Sequence, residues 1–89
     1  MTPNRYVAET RLDNAEYERA TFLANRSAVV TSLMDALAVF QRQHPHVEID
    51  AGYITTICSE ALGDATSDEL KWMDRDIEEL RELADGVAA

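Results

Sequence analysis

Cysteine, glycine, proline and basic side chains are all scarce in this 89-residue chain, and each shortage excludes something. The single cysteine, Cys58, has no internal partner, so a disulfide-stapled secreted scaffold is ruled out. No basic-then-apolar leader follows Met1, and a cytoplasmic setting is expected. Glycine stands only at 52, 63 and 86, and proline only at 3 and 45. That leaves no glycine-rich phosphate loop and no Gly-x-Ser-x-Gly nucleophile turn. Eight basic against seventeen acidic side chains give a net charge of −9. Direct nucleic-acid binding is therefore disfavoured, because it needs clustered bases to displace counterions from phosphates. The densest apolar stretch, Ala28 to Phe40, is interrupted by Thr31, Ser32 and Asp35, short of the roughly 20 apolar residues that cross a bilayer. No membrane span is expected.

What is present is helical. Hydrophobic residues make up 46% of the chain, enough for a small packed domain covering residues 1–89. Thr2-Pro3 reads as a cap followed by proline at the first helical position, opening a helix over 3–12. The alternation Tyr6, Ala8, Thr10, Leu12 also permits a short strand. Asp13 and Glu16 have capping-box spacing, which starts a second helix and carries it over 14–43 to the stop at Pro45. On it Phe22, Val29, Leu33, Ala36, Leu37 and Phe40 form one broad apolar face, widened by Leu23, Val30 and Met34. Arg19 and Arg26 interrupt that face, and a kink at Asn25-Arg26-Ser27 is an alternative. Asp50 caps a short helix over 51–62, with Ile54, Ile57, Cys58, Ala61 and Leu62 apolar and Gly63 as its C-terminal stop. Thr66 and Glu69 form a second capping box for a helix over 67–85, whose seam is Leu70, Met73, Ile77, Leu80, Ala84 and Val87. Arg75 with Glu79, and Arg81 with Asp85, are candidate i,i+4 ion pairs on it. The expected fold is all-α, a small three- or four-helix bundle with one long central helix.

Catalytic, cofactor and metal sites are not expected. His44, His46, Glu48 and Asp50 alternate along a linker, but ligands nearly 7 Å apart on an extended chain do not close around one ion. Asp64, Thr66 and Asp68 open like a calcium loop, yet Glu69 and Arg75 occupy the positions that need glycine and glutamate. Cys58 lies on an apolar helix face, where a thiol is core filler. A non-enzymatic role follows.

Charge and one aromatic residue point to a binding surface. From Met1 to His46 five bases balance five acids, whereas Val47 to Ala89 holds twelve acids and three bases. An acidic C-terminal half steers encounters with a basic partner. Trp72, the only tryptophan, lies off the seam on a stripe with Asp68, Asp76, Glu79 and Leu83, and these five are the expected partner-binding residues. Ile54-Thr55-Thr56-Ile57-Cys58 and Thr66-Ser67-Asp68-Glu69-Leu70 resemble the second-helix region of the colicin DNase immunity proteins, which are acidic helical inhibitors of similar length. The Tyr-Tyr-Pro segment diagnostic of that family is absent, so the resemblance implies no membership, only that small acidic helical proteins serve as inhibitors. The expected function is therefore a protein-binding module whose acidic helical surface meets a basic protein. In its sharper form it is an inhibitor or nucleic-acid mimic of the kind phages encode. The alternative is a homodimeric structural or adaptor protein, with the seam from Leu70 to Val87 as the dimer contact.

Overall fold

Between Asn4 and His44 nothing in the sequence forces the backbone out of a helix, and the backbone does not leave it. A computed structural model describes the backbone of residues 3–88 and the side chains of residues 6–86. Among them are two helices and no strand: α1, Pro3–Gln43, and α2, Ala51–Ala88. The protein is all-α. The three- or four-helix arrangement is corrected to two helices among the described residues, because neither of the expected breaks, at Asp13 and at Gly63, occurs and α1 also runs unbroken through Asn25-Arg26-Ser27. The Thr2 cap lies outside the described residues, as does the side chain of Val87.

Each missing break has a local cause. A capping box helps only where donors are orphaned, and at Asp13 continuing the i→i−4 ladder satisfies them all. Thr10, read as part of a possible strand, instead sends its hydroxyl to the Tyr6 carbonyl at 2.9 Å, one turn back. Thr66 likewise donates to the Leu62 carbonyl at 2.7 Å and does not cap a new helix. Gly63 does not take the left-handed conformation of a helix stop, and φ is positive at no glycine. A mid-helix glycine weakens a helix by roughly 0.5–1 kcal/mol relative to alanine, which is a tax and not a termination.

Only the linker between the helices follows the expected punctuation closely. Pro45 removes a donor, and α1 closes with His44 N–H on the Phe40 carbonyl at 2.9 Å. The Phe40 and His44 rings meet at 4.6 Å between centroids, tilted by 40°, and Gln41 Nε2 donates to the Val47 carbonyl at 2.7 Å. Asp50 then caps α2, its carboxylate accepting the Tyr53 N–H at 3.0 Å.

The chain divides into two compact units, one made of Met1–Phe22 with Ser67–Ala89, the other of Leu23–Thr66. Unit 1 is an antiparallel helix pair, since Glu16 meets Arg81 and Arg19 meets Asp74. Its sheltered positions recur every three or four residues: Ala8, Leu12, Ala15, Arg19 and Phe22 on α1, and Leu70, Met73, Ile77, Leu80 and Ala84 on α2. The heptad seam is thus used inside the chain. Unit 2 is a hairpin closed by the linker, with Val30, Leu33 and Leu37 sheltered on α1 and Thr55, Cys58 and Leu62 on α2. Arg26, where a kink was the alternative reading, joins that seam by donating to the Thr66 hydroxyl at 3.0 Å. Its aliphatic stem fills a position that its charge would otherwise forbid.

The continuity of α1 also revises the reading of its hydropathy. Between Tyr6 and Gln43 it contains an 18-residue window of mean hydropathy 1.2 with at most two charged side chains. By length and composition alone this reaches the threshold for crossing a membrane, a test that packed helices of soluble proteins also pass. Counting uninterrupted apolar runs missed it, because an unbroken helix carries Thr31, Ser32 and Asp35 along with their apolar neighbours.

Two substitutions test this account of the helices by thermal and urea unfolding. Gly63→Ala should stabilise by about 0.5–1 kcal/mol, because an added Cβ meets nothing within 4 Å and the backbone is already helical. Ile77→Ala should cost about 2–4 kcal/mol, since Ile77 is among the few buried side chains. A destabilised Gly63→Ala protein would mean that α2 ends near that residue after all.

Candidate partner-binding surface

The five expected partner-binding residues all lie exposed on α2 within unit 1. Asp68, Trp72, Asp76, Glu79 and Leu83 are spaced three or four residues apart, so one face of the helix carries them all. Trp72 leaves 70% of its surface to solvent. The indole is therefore not folded over the edge of the core.

The stripe is not one site. Trp72, Asp76 and Glu79 share a shallow cleft with Glu69 and with Glu18 of α1. Leu83 lines a separate hollow beside Glu79, Glu82 and Gly86, and Asp68 lines neither. Sequence reasoning missed Glu69, although its place three residues before Trp72 on the helix was available as a signal. It missed Glu18 for a better reason. Only the antiparallel register, in which Glu16 meets Arg81 and Arg19 meets Asp74, brings that part of α1 beside Trp72.

Four carboxylates therefore rim one indole. The cation in the cleft, Arg75, is held by Glu79 at 3.3 Å, the expected i,i+4 pair. Both partners are well exposed, so the pair contributes little to stability and leaves the rim acidic. Arg81 does not bridge to Asp85 as the spacing suggested but reaches Glu16 at 3.2 Å, linking the two helices of the unit. Arg19 pairs with Asp74 in the same way. Arg19 and Arg81 are thereby drawn to the junction between the helices of unit 1, which leaves Arg75 as the base in the Trp72 cleft.

Other polar groups do not assemble. Among the described residues no group of three or more His, Cys, Asp or Glu side chains converges as metal ligands would. Cys58 is half-buried in the seam of unit 2. A larger feature that sequence reasoning did not single out lies in unit 2, an open apolar groove of about 820 Å³ lined by Met34, Leu37, Ala38, Gln41, Ile49 and Thr56 among others. It arises where the end of α1 and the start of α2 run side by side, and no local pattern announces it. No family model matches the chain, and no curated protein or solved structure matches it either.

The acidity around Trp72 is directly measurable. With each quencher normalised to its effect on N-acetyltryptophanamide, Trp72 fluorescence should be quenched more efficiently by caesium than by iodide at low ionic strength, because the carboxylates concentrate cations at the indole. The two efficiencies should converge as salt is added. Equal quenching at low salt would mean that the rim is electrostatically neutral.

Proposed function

We propose that this chain is a non-enzymatic protein-binding module that presents the Trp72 flank of α2 to a basic surface on another protein. The observation that carries this reading is an indole 70% exposed and rimmed by Glu18, Glu69, Asp76 and Glu79. An exposed tryptophan of this kind is an uncommon expense for a soluble surface and a common anchor at interfaces. The carboxylates supply attraction at range, the indole affinity at contact.

In its sharper form the module is an inhibitor that occupies a nucleic-acid-binding site. Carboxylates recurring at about one helical turn, 5.4 Å, would then stand where phosphates lie in a basic groove. The placement of acids from both helices around one cleft supports this form, and competition between the chain and nucleic acid for the same partner is its signature.

With a partner captured from host extract and purified, the two components separate kinetically. Trp72→Ala should weaken binding by about 2 kcal/mol, mainly through faster dissociation. Replacing Asp76 and Glu79 by Lys should instead slow association and flatten its salt dependence, because rim charges act over a screening length of about 8–10 Å. Circular dichroism establishes that each variant is folded. If both folded variants bind like the parent at low and high salt, the flank is only a solvated surface and the reading is wrong.

A further inference from the structure

A second surface, in unit 2, is defined by its position relative to the seam. Residues that follow a seam residue by one, Thr31, Met34 and Ala38 on α1 and Thr56, Ser59 and Gly63 on α2, line two grooves that both helices share. That offset therefore points to one side of the hairpin. Residues that precede a seam residue by one are turned about 100° the other way and occupy the opposite side. On α1 these are Asn25, Val29, Ser32 and Ala36, with Phe40 before the half-buried Gln41; on α2 they are Ile54, Ile57, Ala61 and Ala65. All are exposed, Val29 at 51% and Ile57 at 46%, and none carries a charge.

From this flank we infer that a second copy of the chain covers it, so that two hairpins form a four-helix core in a homodimer. Area is the first argument. The chain exposes 6840 Å², whereas the scaling for folded monomers gives about 5200 Å² at 10.0 kDa. The surplus of about 1600 Å² is summed over both units and does not by itself locate a contact, but it is of the size that obligate homodimers bury, roughly 1000–2500 Å² on each partner. Among the described residues only Ala8, Ile77 and Ala84 are buried, and all three belong to unit 1. Unit 2 has no interior of its own.

Charge selects the occupant. Two chains of −9 repel, so copies meet only through a face that holds carboxylates off the contact. The flank of unit 2 is such a face, whereas the Trp72 flank of unit 1 carries four carboxylates. A basic partner would find nothing there to pair with. Shape agrees, since the flank grades from the larger Phe40, Ile54 and Ile57 near the linker to the small Ala61 and Ala65 away from it, so that a copy turned end for end sets large against small. Such a surface supplies both knobs and holes, the requirement for packing on itself about a two-fold axis. The seam from Leu70 to Ala84 is not the contact, being already used within unit 1.

The test is sedimentation equilibrium of the full chain at micromolar concentration, with two charge variants. The parent should show twice the 10.0 kDa chain mass. The double variant Ala36→Glu, Ile57→Glu should lose that association, as a monomer or with loss of helix. Ala38→Glu, Thr56→Glu, which adds the same charge on the opposite side, should remain a helical dimer. A monomeric parent overturns the inference, as does a dimer that survives Ala36→Glu, Ile57→Glu or dissociates equally in both variants. So does a parent that co-sediments with neutral phosphatidylcholine vesicles in place of forming dimers, since lipid would then be what covers the flank.

Discussion

Within each unit two helical segments laid side by side share a seam and little or no interior, and most features of this protein follow from that constraint. A seam shelters one stripe on each helix and leaves both flanks in water. The heptad residues of α2 and their counterparts on α1 close unit 1 around Ile77 and two alanines. Unit 2 shelters its seam only partly, with Arg26 and Thr66 completing it by a hydrogen bond where an apolar pair would have packed. Hydrophobic content that would fill the core of a three-helix domain thus remains at the surface.

The flanks divide the remaining chemistry. In unit 1 the flank beside the seam carries Glu18, Glu69, Asp76 and Glu79 around Trp72, while Arg19 and Arg81 are tied across the helix pair to Asp74 and Glu16. In unit 2 the corresponding flank is uncharged and apolar. On the proposed reading one surface meets a charged partner and the other an identical copy. Separating the two lets an acidic protein associate with itself without setting carboxylate against carboxylate.

The helical class, the Pro45 stop, the Asp50 cap and the seam after Leu70 were legible in the sequence because each rests on local spacing. The number of helices was not. Asp13 with Glu16, and Thr66 with Glu69, look like caps, but a cap motif is silent when the helix simply continues, and Thr66 spends its hydroxyl on Leu62 and Arg26. Gly63 lowers helix stability without dictating φ, so it marks a stop only where tertiary structure wants one. At the candidate site the stripe on α2 was readable from its period. Glu18 was not, because it arrives from α1 through an antiparallel register that only the ion pairs between the helices reveal. The broad apolar arc of α1 was read as the face of a central helix, but no further helices stand among the described residues to cover it, and Val29, Met34 and Phe40 remain exposed.

The central claim is that folding and self-association are one process, because the hairpin lacks an interior until a partner supplies it. The most direct measurement is the thermal midpoint by circular dichroism across about a hundredfold range of protein concentration, where mass action raises the midpoint of a dimer and leaves that of a monomer fixed. The account predicts a midpoint that falls steadily on dilution. A midpoint independent of concentration, with one steep transition, would contradict it and show that the seam alone sustains the fold.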